Sequence, residues 1–415
     1  MNYIEKSKIL AQQEFDREKV LALTNYDESR IPEYTVPSPI PEPCTAANWS
    51  NHIRPKILKQ FKKEMYGETP PLPDETSYEL LAQNDNALNG IAIRKEIRIH
   101  FSMHNGKKHS MVMLVYIPKN ASNDKPAPAF LGLNFKGNHS TNAEKDILKT
   151  GIENPDPESQ KEECRGCQDF RWIFADVIKR GYASATICYH DIFPDQPKGW
   201  GKSILNLFEN MENFAGAHPK YSAIGAWSWG LSRAMDCLQN DPLIDSTRVA
   251  VHGHSRLGKT ALWAGACDPR FKMIISSCSG CGGAALARRM FGETYLALGN
   301  IMPHWFVSPL KKYFAQEEKM PFDQNFLLAL AAPRALAIGS ASEDLWADPK
   351  GEFLSAYHAG KVYALFGSKG LGTNKMPPEN KFLTGDISYH IRTGKHNILK
   401  LDWEHYMQIA DLYLD

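Results

Sequence analysis

The sequence predicts a three-layer α/β fold, in which helices cover both faces of a doubly wound, mostly parallel sheet with antiparallel N-terminal strands. Two observations support this prediction. From residue 126 onward, short apolar runs such as PAFLGLNF and RVAVHG alternate with amphipathic stretches, which is typical of buried parallel strands joined by helices. Before them, IAIRKEIRIHFS and SMVMLVYIP alternate with a period of two, which predicts antiparallel strands.

The individual elements follow in chain order. Residues 4–24 predict a polar helix and residues 52–66 a second one, whereas the Pro-rich segment 31–43 can be neither a regular helix nor a central strand. The antiparallel strands are expected at 91–102 and 110–118. The buried strands are expected in 128–135, 181–189, 248–253, 271–280 and 334–344, and the later helices in 170–181, 224–240 and 402–415.

The simplest organisation is one domain with an N-terminal extension, because the 415 residues contain no repeat, low-complexity tract or long linker. We expect residues 1–45 to pack as a helix and Pro-rich lead-in on a single α/β domain of residues 46–415. The net charge of +1 gives no excess for binding nucleic acid. No apolar run reaches the roughly 18 residues of a membrane span, and residues 1–20 lack the apolar core of a signal peptide.

Residues 253–260, GHSRLGKT, form the most informative segment. They fit the phosphate-binding pattern G-x-x-x-x-G-K-[ST], and they also fit the sharp strand-to-helix turn that exposes a nucleophilic serine. A nucleotide-binding loop needs an aspartate at the end of an apolar strand to hold Mg²⁺, but MIISSC ends without one. Nucleotide binding is therefore the less favoured hypothesis.

A serine hydrolase is the favoured alternative. Hydrolases of the α/β-hydrolase type place a serine, an acid and a histidine in that chain order. Here Ser255 follows a strand, Asp344 follows RALAIGS, and His396 precedes the last predicted helix. The loops after parallel strands are where such sheets place their sites, so we predict a triad in which Asp344 orients His396 and His396 activates Ser255. Leu257 departs from G-x-S-x-G, because the second glycine is displaced to position 258.

Neighbouring residues compete for two of these roles. His390 lies six residues before His396 and is the second candidate for the base, whereas His254 is expected to point away from the Ser255 hydroxyl and into the sheet. Glu343 competes with Asp344 as the acid. Adjacent side chains at a strand end point in different directions, so only one of the two carboxylates can orient the histidine.

The sequence resembles the glucuronoyl esterases, a carbohydrate esterase family of the α/β-hydrolase superfamily, and most of all their bacterial branch. The resemblance covers roughly residues 20–415. It rests on G-x-S-R-x-G-K at 253–259 and on blocks at 130–140, 187–195, 223–238, 277–293, 323–353 and 389–403.

This resemblance implies a serine esterase that cleaves lignin-carbohydrate esters during xylan degradation. The bond would join the carboxyl group of (4-O-methyl)glucuronic acid, a branch of glucuronoxylan, to a lignin alcohol, and Ser255 would carry the acyl group. Arg256 would stabilise the oxyanion and Lys259 would bind sugar hydroxyls. Glu293, expected on a helix, and Trp346 would contact the uronic acid ring. No metal, cofactor or nucleotide is implied.

One position departs from the family pattern. Many members carry a glutamate directly before the S-G-x-G-G segment as the triad acid, but here that position is Cys278. The resemblance then implies that Asp344 supplies the acid and that Cys278 is a small buried residue. An acetylxylan or other carbohydrate acyl esterase remains the alternative function. By family analogy, the enzyme is expected to be monomeric and secreted or periplasmic.

Overall fold

A single ten-stranded sheet forms the centre of the computed structural model, which describes residues 17–414. Its strands are β1 (Glu75–Asn86), β2 (Ala92–Ser102), β3 (Lys108–Pro118), β4 (Ala127–Asn134), β5 (Ala183–Cys188), β6 (Ile244–His254), β7 (Phe271–Ser277), β8 (Ala335–Ala341), β9 (Phe382–Leu383) and β10 (Ile387–Arg392).

The strand order is β1-β2-β3-β5-β4-β6-β7-β8-β10-β9. Neighbouring strands from β5 to β10 pair in parallel, whereas β1 to β3 pair antiparallel and β3 joins β5 antiparallel. The chain leaves β4 first toward β5 and then returns to β6 on the other side. This reversal is the switch point at which open α/β sheets form their binding crevice, and the topology confirms the predicted fold class.

Helices cover both faces of the sheet. Val249 and Val251 pack into the larger core cluster, whereas Ala250 packs with Trp403 in a second cluster on the opposite face, as the two-residue period of a strand requires. Among the described residues, no helix is both long and apolar enough to cross a membrane. The longer helices are α1 (Arg17–Ala22), α2 (Arg54–Phe61), α3 (Phe174–Lys179), α4 (Ala223–Leu238), α5 (Arg256–Cys267), α6 (Tyr295–Ile301), α7 (Gln324–Ala329), α8 (Pro349–Ala364) and α9 (Lys400–Tyr413).

Three strands, β1, β9 and β10, were not among the predicted elements. Strand β1 reads ETSYELLAQNDN, which has no regular alternation of apolar and polar residues, and it is largely exposed. It is a strand because it pairs antiparallel with β2. Strand β10 is buried along its whole length between β8 and β9. The helix predicted at 4–24 lies mostly outside the described residues, which contain only its last part as α1.

The N-terminal lead-in lies on the body of the protein without forming helix or strand over residues 31–43. The carbonyl of Pro37 accepts a 2.9 Å hydrogen bond from the Asn325 side chain of α7. Glu28 forms ion pairs with Arg289 and Lys350. The division of the chain at residue 45 stays a prediction.

A buried ion network ties β2 to the loop after β4. Arg94 donates to Glu144 at 2.6 Å and to Asp146 at 2.8 Å, and its Nε lies 3.8 Å from the carboxylate of Glu96. The side chains of Arg94 and Glu96 are 2% and 0% exposed. Removing the guanidinium would therefore leave the Glu96 carboxylate buried without its cation.

We predict that Arg94→Ala lowers the free energy of unfolding by about 3 kcal/mol, the usual cost of leaving a buried charge unpaired. Urea denaturation measures this difference. Arg98→Ala is the matched control, because Arg98 lies on the same strand but is 40% exposed, and we expect a change below about 0.5 kcal/mol. Equal losses in the two variants would contradict the assignment.

Glu352 on α8 holds the chain that follows β7. Its Oε1 accepts hydrogen bonds from the backbone N–H groups of Ser279 at 2.7 Å and Gly280 at 3.1 Å, and its Oε2 accepts one from the Ser340 hydroxyl at 2.6 Å. Burial raises the pKa of Glu352 to about 8 from 4.5. The carboxyl group is thus protonated in the folded protein at neutral pH, whereas the unfolded chain releases this proton above about pH 4.5.

A carboxyl group with a raised pKa in the folded state favours folding less as the pH rises between the two pKa values. Glutamine imitates the protonated form and cannot ionise. We therefore predict that wild-type protein loses more stability than Glu352→Gln between pH 5 and pH 8, by at least about 1.4 kcal/mol, the equivalent of one pKa unit. Chemical denaturation at both pH values measures the difference. Parallel losses in the two proteins would show that Glu352 does not titrate in this range.

Candidate active site

Ser255 occupies a strained turn between β6, which ends at His254, and α5, which begins at Arg256. Its backbone has φ 59° and ψ −131°, a combination that is costly for a residue with a side chain and persists only where the surroundings enforce it. Its N–H donates a 2.8 Å hydrogen bond to the carbonyl of Ser277 at the end of β7. The segment therefore forms the strand-turn-helix geometry of a nucleophilic serine.

Two glycines permit this turn. A Cβ atom on Gly253 would lie 2.0 Å from the carbonyl oxygen of Leu257, and one on Gly258 would lie 3.0 Å from the Cβ of Ser279. The side chain of Leu257 is itself buried. The close approach thus falls on position 258 instead of 257, which explains the departure from G-x-S-x-G.

Asp344 and His396 are in direct contact, with 2.5 Å between Asp344 Oδ2 and His396 Nδ1. Asp344 is buried, whereas Glu343, the competing carboxylate, is exposed. The N–H of Glu343 donates at 2.9 Å to the carbonyl of Gly394, which ties the loop of the acid to the loop of the histidine. Of the two adjacent carboxylates, Asp344 is the one that can orient His396.

The loop that carries His396 is held from behind by a buried polar cluster. Arg392 donates from Nε to Asp402 at 2.9 Å and from one terminal nitrogen to the carbonyls of Lys395 at 2.7 Å and Asn397 at 2.6 Å. His390, the alternative base, is fully buried and lies 2.6 Å from Asp402. His390 therefore belongs to this supporting cluster and is closed to solvent.

His396 lies between Asp344 and His254, the residue directly before Ser255. The ring of His254, which we expected to turn into the sheet, is buried but lies 4.5 Å from the His396 ring, centroid to centroid. The Cys278 Sγ, a carboxylate oxygen of Asp344 and a ring nitrogen of His396 lie within 4.8 Å of one another. Burial lowers the pKa of His254 well below its ordinary value, so a neutral ring packs on His396.

Cys278 directly follows β7 and lies beside His396. The thiol is buried. Its pKa is raised well above its ordinary value by burial first, and then by the nearby charges of Glu352, Asp344 and Asp402. A neutral thiol cannot compensate the charge of an imidazolium ion. The expectation that Cys278 is a small buried residue agrees with this environment, and the predicted absence of a metal stays a prediction.

Lys259, Glu293 and Trp346 meet in one polar cluster. Lys259 Nζ lies 2.8 Å from Glu293 Oε2 and also donates to the carbonyl of Ser279, and the Trp346 indole N–H donates at 2.7 Å to Glu293 Oε1. Glu293 was predicted on a helix, but α6 begins only at Tyr295. Its carboxylate instead lies in the preceding loop, where its contacts with Lys259 and Trp346 keep it only 10% exposed.

Arg256 points to a carboxylate that the sequence reasoning did not single out. One terminal nitrogen of Arg256 donates to Asp195 Oδ2, and the guanidinium carbon lies 4.8 Å from the ring centroid of Trp305. Lys259 Nζ lies 5.9 Å from the centroid of the same ring, so Trp305 packs near both cationic side chains. Asp195 ends the predicted block 187–195, but nothing in those letters shows that the loop after β5 meets the loop after β6.

The N-terminal lead-in reaches the rim of this site. The carbonyl of Asn25 accepts a 2.9 Å hydrogen bond from the N–H of Gly292, directly before Glu293. Tyr26 is half exposed. Its pKa is raised by burial first and then by the charges of Asp344 and Glu293.

Comparisons with known proteins identify the family of this chain. Residues 212–367 match the family model described as glucuronyl esterase of fungi. Over 408 residues, the chain is 41% identical to the carbohydrate esterase MZ0003 from an unknown prokaryotic organism, which spans 94% of this chain and 92% of that protein.

Solved structures are similar over nearly the whole chain. A promiscuous CE15 esterase from the marine bacterial metagenome is 40% identical with a TM-score of 0.85, covering 94% of this chain and 100% of that chain. A glucuronoyl esterase from Solibacter usitatus has the same identity of 40% and TM-score of 0.85, covering 92% of this chain and 99% of that chain. The chain therefore belongs to the glucuronoyl esterase family, carbohydrate esterase family 15.

Proposed function

We propose that this protein is a carboxylic ester hydrolase that cleaves the ester between (4-O-methyl)glucuronic acid of glucuronoxylan and lignin alcohols. The observation that carries the proposal is the contact between Asp344 and His396, 2.5 Å apart, with the His396 ring packed on His254 directly before the strained turn of Ser255. The relative from Solibacter usitatus is a glucuronoyl esterase, and the polar cluster beside the turn suits a uronic acid ring.

In this proposal, the Ser255 hydroxyl attacks the ester carbonyl while His396 accepts its proton. The buried Asp344 carboxylate stabilises the imidazolium ion that results. His396 then protonates the departing alcohol and leaves an acyl-enzyme on Ser255. A water molecule, deprotonated by His396, attacks the acyl group and releases the uronic acid.

Two kinds of hydrogen-bond donor can stabilise the negative charge that develops on the ester carbonyl oxygen during the attack. The guanidinium of Arg256 lies directly after the nucleophile, and the first N–H groups of α5 have no acceptor within the helix. Donors fixed in place before the reaction lower the barrier because they need not reorganise, and each is often worth about 3 kcal/mol. We assign the oxyanion role to Arg256 together with these N–H groups.

The sugar ring would lie on the cluster of Lys259, Glu293 and Trp346. A lysine ammonium has three donors, and the contacts with Glu293 and Ser279 use two of them. One donor remains for a sugar hydroxyl. Glu293 also keeps acceptor capacity, because each carboxylate oxygen accepts more than one hydrogen bond. The same carboxylate would repel a nucleotide phosphate, which disfavours the phosphate-loop hypothesis.

Acetylated carbohydrates are the alternative substrate, since the relative from the marine metagenome is described as promiscuous. We predict that kcat/KM for methyl or benzyl glucuronate exceeds that for acetylated xylose by at least about 10-fold, because an acetyl ester leaves the sugar cluster unused. Parallel assays of released alcohol and acetate measure the ratio. Faster turnover of the acetyl ester, or saturable ATP binding lost in Lys259→Ala, would overturn the proposal.

The predicted triad can be tested by the effect of single substitutions on turnover. We expect Ser255→Ala and His396→Ala to abolish turnover, and Asp344→Asn to lower kcat by about 10³–10⁴-fold, because asparagine favours the wrong tautomer of the histidine. The assay follows benzyl glucuronate hydrolysis with folding monitored by circular dichroism. Glu343→Gln is the matched control, since that exposed carboxylate should matter less than about twofold. A larger loss in Glu343→Gln than in Asp344→Asn would reassign the acid.

We further propose that the enzyme works as a monomer and is secreted or periplasmic. The substrate supports export, because lignin-carbohydrate material is an insoluble polymer that cannot enter a cell. Fractionation of the source cells and light scattering of the purified protein are the corresponding measurements.

A further inference from the structure

A buried carboxylate lies behind Arg256 at the switch point of the sheet. Strand β4 has β5 on one side and β6 on the other. Asp195 belongs to the chain that follows β5, and Arg256 begins the helix that follows β6. Their contact therefore spans the crevice in which sheets of this class bind their ligands.

All the acceptor capacity of Asp195 is directed into the protein. Its Oδ1 accepts from His304 Nε2 at 2.8 Å and from the Trp305 indole N–H at 2.7 Å. Its Oδ2 accepts from the Tyr189 hydroxyl at 2.9 Å and from Arg256. A carboxylate offers about four acceptor sites, and the side chain is 2% exposed. Asp195 thus has no site left for a substrate.

This carboxylate is ionised throughout the neutral range. Burial alone would raise the pKa of Asp195, but the hydrogen bond from His304 and the charge of Arg256, followed by the bond from Trp305, hold it well below its ordinary value. The negative charge therefore remains opposite the guanidinium at any pH at which the enzyme would work.

The contact with Asp195 fixes the Arg256 side chain but uses only part of its hydrogen-bonding capacity. Its guanidinium stacks over the ring of Trp305. The side chain is 27% exposed, and its Nε is buried with no hydrogen-bond partner among the described residues. Arginine has five N–H donors in a rigid fork. Bonding one end of the fork to Asp195 determines where the remaining donors point.

We propose that Asp195 is a positioning residue for catalysis, which acts on the transition state only through Arg256. This inference rests on the proposed function, because it assumes that Arg256 meets the oxyanion. It predicts that loss of the carboxylate reduces kcat and leaves KM nearly unchanged, since donors that act on the oxyanion are needed in the transition state and not in the bound ester.

The test is a double-mutant cycle on benzyl glucuronate with Asp195→Asn, Arg256→Ala and the double variant. The asparagine amide would present donors to Arg256 and release the guanidinium. We expect Asp195→Asn to lower kcat by about 10–100-fold with KM within about threefold, and the double variant to be no slower than Arg256→Ala within about threefold. Additive losses would show that Asp195 acts independently of Arg256 and would overturn the inference.

A milder variant covers the case in which Asp195→Asn does not fold. Tyr189→Phe keeps the ring but removes one hydrogen bond to the oxygen that holds Arg256, so kcat should fall about 2–10-fold in the wild type and not at all in Arg256→Ala. An equal loss in both backgrounds would contradict the inference. Asp191→Asn is the control for removing a carboxylate from the same segment, because the Asp191 carboxylate accepts a hydrogen bond from the N–H of Gly151, whereas the partner of Arg256 is Asp195.

The turnover of the wild-type protein distinguishes a failure of the proposed esterase function from a failure of the role assigned to Asp195. No turnover of glucuronate esters by the folded wild-type protein would overturn the proposed function and this inference together. Normal wild-type turnover with kcat unchanged in Asp195→Asn would overturn this inference alone and leave the esterase intact.

Discussion

The strained turn at Ser255 is the constraint on which the remaining site depends. A residue with a side chain holds φ 59° and ψ −131° there because β6 and α5 cross at a distance that only glycine allows at position 253. The backbone bond from Ser255 to Ser277 ties the turn to the next strand. With the turn fixed at the edge of a parallel sheet, the neighbouring loops need only bring their side chains to a predetermined point.

Buried acidic side chains set the geometry of those loops. Asp344 bonds the histidine, Asp195 bonds the arginine, and Glu293 joins the lysine to an indole. Asp402 and Glu352 act further back, on the loop of His396 and on the chain after β7. Each such group is costly to bury without partners, so each one locks its donors into a defined arrangement.

Cys278 shares the surroundings of His396 with Asp344. Its thiol lies within 4.8 Å of both Asp344 and His396, so two chain positions approach the same histidine. Burial keeps the thiol neutral, and the carboxylate on the adjacent strand is then the group that can balance an imidazolium charge.

The sequence by itself determined the parallel strands β4 to β8 and the sharp turn at Ser255, because these depend on local periodicity and on the spacing of residues along the chain. It did not reveal β1 or β10, whose strand character comes from pairing with β2 and β8. It also could not choose between Asp344 and Glu343 by geometry, place Glu293 in a loop, or find Asp195. Those outcomes depend on which loops meet across the sheet, and only the tertiary structure decides that.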